Sequence, residues 1–284
     1  MKLSLETYIL CKRFGDYEGL KRIKEAGFDC VDMSYYWLPD DSEQLSDGYR
    51  DYAKSLRQYL DTIGLECNQA HAPFDLQVGE EFSLETSAFL AIVRAMESAA
   101  LLGAKTIIVH SLAEGIVFDR QYNLDFYKSL EPFCEKFNIR IGVENLFAFD
   151  AKRQCYTGRL KTAKELCEFI LELNSPWFVA CVDVGHAALT GSEPEDFILG
   201  MSGNLLQAVH IQDGDYRGDR HTLPYLGQFN WEKIMQALRQ VDYSSELTFE
   251  IFKYLRQIPN DLMPEALALA ERTGRHLISI FEEQ

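Results

Sequence analysis

Eight short apolar runs, each followed by a longer amphipathic segment, recur along the whole chain. The runs are SLETYIL (4–10), FDCVDMS (28–34), LECNQAH (65–71), TIIVHS (106–111), RIGVENL (140–146), FVACVDV (178–184), LLQAVHI (205–211) and ELTFEIF (246–252). Apolar and β-branched residues fill both faces of these runs, the signature of strands covered on both sides. Helical spacing marks segments near 16–26, 48–63, 83–102, 121–137, 159–173, 193–200, 230–240 and 261–282. Ser83 with Glu85, Asn230 ahead of WEKIMQAL and Pro264 in a first turn supply helix starts. Eight tandem β–α units predict a parallel sheet wrapped by helices. A closed (β/α)8 TIM barrel, a single α/β domain over residues 1–284, satisfies that pattern. The competing arrangement is an open doubly wound sheet, but no Gly-rich phosphate loop follows the first run.

Glycines and prolines are scattered singly, and nothing reads as a linker. A hydrophobic fraction of 47% with 25% charged residues suits a soluble globular chain with a full core. No apolar stretch approaches the ~20 residues that cross a bilayer. The N-terminal segment lacks the pattern of a secretion signal, so a cytoplasmic protein is expected. Forty-four acidic residues against 28 basic ones give a formal charge of −16, which disfavours nucleic acid and anionic membrane partners and leaves cations and small polar molecules unopposed. The seven cysteines, Cys11, Cys30, Cys67, Cys134, Cys155, Cys167 and Cys181, form no C-x-x-C pair and read as reduced packing residues. Assembly into a homo-oligomer stays open.

A barrel collects its active site from the C-terminal ends of its strands. The third run ends in His71, the fourth in His110, and the fifth in Glu144 and Asn145. The sixth ends in Asp183 with His186 three residues on, the seventh in His210 and the eighth in Glu250. Behind the seventh run, VHIQDGDYRGDRH crowds Asp213, Asp215, Asp219 and His221 beside His210. Five of the six histidines thus fall at or just beyond strand ends; His276, in the last helix, is the exception.

A single histidine at a strand end is more often a hydrogen-bonded framework residue than a ligand. Carboxylates at the ends of buried strands must instead be paired or metal-bound. Arg140, Arg153 or Arg217 would serve for pairing, yet a mouth with three carboxylates and five imidazoles exceeds what these bases can neutralise. A divalent cation is the favoured account. Tyr8, Trp37, Phe74 and Phe147 either wall a sugar-sized pocket or pack loops. The segment GQFNWEKIMQAL (227–238) is either an oxyanion-docking helix N-terminus or a plain cap at Asn230.

In their order and placement, HAP (71–73), HS (110–111), VEN (143–145), VDVGH (182–186), H-x-x-D from His210, DRH-x-x-P (219–224) and FEIF (249–252) resemble the xylose isomerase-like barrel superfamily over nearly the whole chain. That superfamily includes endonuclease IV, epimerases similar to D-tagatose 3-epimerase, and inosose isomerases. The resemblance to the epimerase branch implies one metal held by Glu144, Asp183, His210 and Glu250, with His186 and Arg217 touching substrate hydroxyls. The endonuclease IV branch implies further ligands at His71, His110, His186, Asp219 and His221, a second metal centre. In the absence of such a centre, His71 and His110 join the substrate-binding residues. The acidic or neutral strand-end loops favour the epimerase branch, because a DNA nuclease needs basic loops. Gln212-Asp213 also departs from the nuclease's Asn-Asp pair.

The expectation is therefore a metal-dependent sugar isomerase or epimerase acting on a small-molecule carbohydrate. Glu144 and Glu250 would move protons through a metal-stabilised cis-enediolate. The shell suits Mn²⁺, Zn²⁺, Mg²⁺ or Co²⁺ without selecting among them. An endonuclease IV-like multinuclear zinc phosphodiesterase or other metal-dependent hydrolase or lyase, and a barrel that only binds a ligand, are the alternatives.

Overall fold

The computed structural model describes residues 1–38, 42–201 and 203–283. Eight parallel strands close the barrel: β1 (Leu3–Glu6), β2 (Cys30–Ser34), β3 (Glu66–His71), β4 (Thr106–Ile108), β5 (Arg140–Glu144), β8 (Phe178–Asp183), β9 (Leu206–Ile211) and β10 (Leu247–Phe249). Their order around the barrel follows the sequence, with β1 paired to both β2 and β10. Closure leaves no free edge, so every one of the eight apolar runs finds two neighbours.

Eight of the helices correspond to the expected segments: α2 (Asp16–Ala26), α3 (Tyr49–Ile63), α4 (Ser87–Leu102), α5 (Arg120–Phe137), α6 (Ala163–Leu173), α8 (Pro194–Leu199), α9 (Trp231–Gln240) and α11 (Met263–Glu282). Each lays an apolar stripe on the sheet. In α3 the stripe is Tyr49, Ala53, Leu56 and Leu60, in α9 Trp231, Ile234, Met235 and Leu238. Gly27, Gly64 and Gly103 end α2, α3 and α4 at positive φ, which lets the chain turn sharply back into a strand.

Several expectations are corrected. The first run was expected to be strand to residue 10, but β1 stops at Glu6 and Tyr8–Phe14 forms α1. Periodicity alone does not separate a short buried strand from a buried helical turn, and Tyr8, Ile9 and Leu10 are buried in the helix. Ser83 does not start α4. Its hydroxyl accepts the Glu85 amide in a turn, and the helix begins after Thr86. Residues 159–162 are not helical, because a hairpin of β6 (Leu146–Asp150) and β7 (Cys155–Arg159) rises from the end of β5. Two short helices, α7 (Val184–Leu189) and α10 (Phe252–Gln257), directly follow β8 and β10. Among the described residues no disulfide joins any of the seven cysteines, and five of them are buried. Among the described residues no helix is long and apolar enough to cross a membrane.

Small side chains set the floor beneath the mouth. Ile108, Cys181 and Ala208 form a buried cluster of their own inside the barrel. Gly142 completes it: a Cβ there would lie 2.5 Å from Ile108 Cδ1, so the barrel interior has no room for a side chain at that position.

Candidate metal centre and active site

The β8–β9 register pairs Asp183 with His210, and the β5–β8 register pairs Glu144 with Cys181. Glu250 follows β10 by one residue, its amide donating to Ile211 O. Parallel register therefore carries four polar side chains to one rim. Ligand-type atoms of Glu144, Asp183, His210 and Glu250 lie within 4.8 Å of one another, all four residues being buried. His210 Nδ1 is 3.0 Å from Glu144 Oε1, 3.6 Å from Glu250 Oε2 and 4.0 Å from Asp183 Oδ2.

The other expected residues ring this group. His71, His110 and Glu144 form a second convergent set, and His186, Asp219 and His221 a third. His110 Nε2 approaches Glu144 Oε2 to 2.8 Å, and His221 Nε2 approaches Asp219 Oδ1 to 2.8 Å. Neither pair has hydrogen-bond geometry, and His71 Nε2, Glu144 Oε2, Asp219 Oδ1 and Glu250 Oε2 are buried without a hydrogen-bond partner. Unspent oxygen and imidazole nitrogen atoms converging in a dry place are the donor set a divalent cation takes. The residues present fit such an ion.

Arg217 does not join them. It sits exposed on the loop after β9, where its amide donates to Asp215 Oδ1, and among the described residues its guanidinium pairs with nothing. The arginines that would have neutralised the carboxylates are also elsewhere. Arg140 reaches Gln207 at the opposite end of the barrel, and Arg153 faces Asp150 in the hairpin turn. The acids behind β9 divide by role. Asp213 accepts from the amides of Gly214, Tyr225 and Phe229 and from Trp231 Nε1, so it ties the loop together; Asp215 pairs with Arg220. Asn230 Oδ1 accepts the Lys233 amide, a plain helix cap.

Several site residues carry little signal in the sequence. Asp32 holds His71 Nδ1 at 3.0 Å, and Gln69 Nε2 donates to Asp32 Oδ2 while facing His210 Nε2 at 3.0 Å. Glu6 accepts from the Ser34 hydroxyl and the Tyr8 amide. Gln212 Nε2 donates to both oxygens of Asp183, and Lys253 Nζ donates to Asp219 Oδ2 at 2.7 Å. For Asp32 and Glu6 the signal is a carboxylate inside an apolar run: Asp32 lies within β2, and Glu6 ends β1 but is hidden because the run reads on to residue 10. Gln212 and Lys253 carry no separate signal.

Crowded charge splits the ionisation of these groups. Burial opposes a charged Glu144, but His210, His110 and His186 outweigh it and hold the carboxyl well below the usual range. Glu250 goes the other way, raised by burial and then by Asp183 and Glu144. Burial, only partly offset by Glu144, lowers His110 to about 4. Burial would also lower His186, but Asp183, Glu144 and Asp219 overcome it and raise the imidazole to about 10.

Aromatic rings wall the mouth. Phe74 stacks on His110 with centroids 4.1 Å apart, Phe147 lies 4.9 Å from His186, and Phe252 lies 4.1 Å from His221. Tyr8 packs on Tyr36 and Trp37, and Tyr36 stacks on Phe74.

A model of the xylose isomerase-like TIM barrel family matches residues 20–273. The uncharacterized protein y4fM of Sinorhizobium fredii is 25% identical over 270 residues, which cover 83% of this chain and 81% of y4fM. The solved structures that share the fold include the following three. A D-tagatose 3-epimerase-like protein superposes with a TM-score of 0.75 at 22% identity, over 99% of this chain and 98% of its own. The 3-keto-D-glucoside 4-epimerase of E. coli, in apo form, gives 0.69 at 19% identity, over 96% and 99%. An IOLI protein with a bound zinc atom gives 0.67 at 15% identity, over 99% and 98%. With eight strands closed in sequence order and the family match spanning most of its length, the chain belongs to the xylose isomerase-like TIM-barrel family.

Proposed function

We propose that the chain is a divalent-metal-dependent sugar isomerase or epimerase, with Glu144, Asp183, His210 and Glu250 as the metal ligands. The observation that carries this reading is the pair Glu144 and Glu250. They come from β5 and β10, on either side of the Asp183–His210 register pair, and each keeps a buried oxygen without a hydrogen bond. The epimerases of the same fold support a carbohydrate substrate.

A cation held by these four residues supplies Lewis-acid polarisation of a substrate carbonyl and suits Mn²⁺, Zn²⁺, Mg²⁺ or Co²⁺. The chain's own groups do the rest. Glu144 and Glu250 take and return the proton on the carbon beside the carbonyl, one from each side of the substrate. Ligation of a cation requires both as carboxylates, so either can act as the base and return the proton as the acid. His186, whose Nδ1 lies 3.3 Å from Glu144 Oε1, orients a substrate oxygen. Phe74, Phe147 and Phe252 exclude water from the reacting carbons.

Solvent deuterium exchange into ketoses, inososes and keto-sugars with added metal tests this reading. Wild type should incorporate deuterium, and Glu250→Gln should keep the fold and lose incorporation. Undiminished exchange in Glu250→Gln would reject Glu250 as a proton carrier.

One observation favours a second reading, metal-dependent phosphodiester hydrolysis: the convergence of His186, Asp219 and His221 as a separate ligand group. Cleavage of abasic-site DNA, run beside the exchange assay, distinguishes the two. Exchange without cleavage supports the epimerase.

A further inference from the structure

Beside the metal group lies a cavity of about 140 Å³ whose lining includes Phe74, Gln77, His110, Ser111 and Arg159. It has a polar end. Arg159, at the end of β7, donates from Nη1 to Ser111 O at 2.5 Å, while Arg159 Nε and Ser111 Oγ are both buried without a hydrogen-bond partner. Among the described residues the guanidinium forms no ion pair, although the neighbouring mouth is crowded with carboxylates. Burial presses against its charge and Glu144 offsets this only in part, yet a guanidinium stays protonated. A half-buried, unpaired guanidinium with one buried, unspent N–H beside a buried, unspent hydroxyl is an arrangement that an anion completes.

His110 joins this cavity to the reacting end, since it lines the cavity and lies 2.8 Å from Glu144. The cavity has room for a small oxyanion. We propose that the cavity receives an anionic terminus of the substrate, a carboxylate or a phosphoryl group, recognised by Arg159 and Ser111. A planar guanidinium fork beside a hydroxyl matches the oxygens of either group. The proposal rests on the epimerase reading for what happens at the other end of the substrate, and the anion site itself stands apart from turnover.

Titration of the purified full chain with inorganic phosphate and, separately, with glycolate tests it, with and without added Mn²⁺. Saturable binding of at least one probe is expected, weakened ~10–100-fold by Arg159→Gln and by Ser111→Ala in both metal states. The probe that binds more tightly identifies the terminus. Should Arg159→Gln fail to fold, Ser111→Ala and Arg159→Lys carry the same test, with Arg159→Lys retaining part of the affinity. No saturable binding by either probe, or equal binding by wild type and the folded variants, overturns the proposal. Absence of deuterium exchange in every sugar would sink the epimerase reading while Arg159-dependent anion binding persists; Arg159-independent binding would sink the anion site while exchange persists.

Discussion

Asn145 and Asp183 clamp each other between neighbouring strand ends: Asn145 Oδ1 accepts the Asp183 amide at 2.8 Å, and Asn145 Nδ2 donates to Asp183 O at 3.0 Å. The clamp joins the ends of β5 and β8, so it fixes Glu144 relative to Asp183. Asn145→Ala leaves a buried N–H and a buried carbonyl without these partners, at a cost of about 2–4 kcal/mol. Urea unfolding should read that loss, and calorimetry should read metal affinity ~10–100-fold weaker. Wild-type affinity in a destabilised variant would make the clamp purely a stability device.

Gly185 passes so close to Gln212 that a Cβ on it would lie 2.6 Å from the Gln212 side-chain carbonyl carbon. That amide also holds Asp183 and accepts the His221 amide. Gly185→Ala should therefore destabilise the protein and weaken metal binding together. In the double variant with Gln212→Ala the clash disappears, and a coupling of about 1–3 kcal/mol is expected in the unfolding cycle. Simple additivity would contradict the close approach.

Glu6 is a buried carboxyl raised to about 7 by its burial, against the Ser34 hydrogen bond. Between the unfolded value near 4.5 and about 7, the folded chain keeps a proton that the unfolded chain has released. Stability from this group is therefore complete below about pH 4.5 and is lost as pH rises through about 7. At ~1.4 kcal/mol per pH unit the whole loss is about 3 kcal/mol. Glu6→Gln, compared with wild type by urea unfolding in chelator at about pH 5 and about pH 8, should remove that decline. Parallel pH dependence in the two proteins would refute the assignment.

Asp213 and Asp219 sit six residues apart and do different work. Asp213→Asn replaces a carboxylate that accepts four hydrogen bonds, so unfolding should become easier by about 3 kcal/mol, with metal content per folded chain unchanged. Asp219→Asn should instead spare stability and reduce occupancy at the His186–His221 group, read by elemental analysis. Reversed outcomes would exchange the two roles.

The eight strands are legible in the sequence because each is a buried apolar run with a polar stop, and the rim residues follow from the barrel's polarity alone. Glu144, Asp183, His210 and Glu250 are visible in this way. The hairpin at 146–159 is not: LFAFD continues the apolar run of β5, and its partner CYTGR looks like a helix approach. Arg217, singled out by resemblance, lies exposed on its loop, whereas Arg159, hidden in that hairpin, lines the cavity beside His110. Asp32 and Gln69 are hard to see because they support His71 and His210 from within their strands, a relationship set by barrel register and absent from linear spacing.

The most direct test is anomalous diffraction from crystals grown with ample manganese or zinc. A peak bonded to Glu144, Asp183, His210 and Glu250 at ~2.0–2.2 Å is expected. A metal-saturated crystal with no peak among these four side chains, or with the ion held elsewhere, would contradict the account.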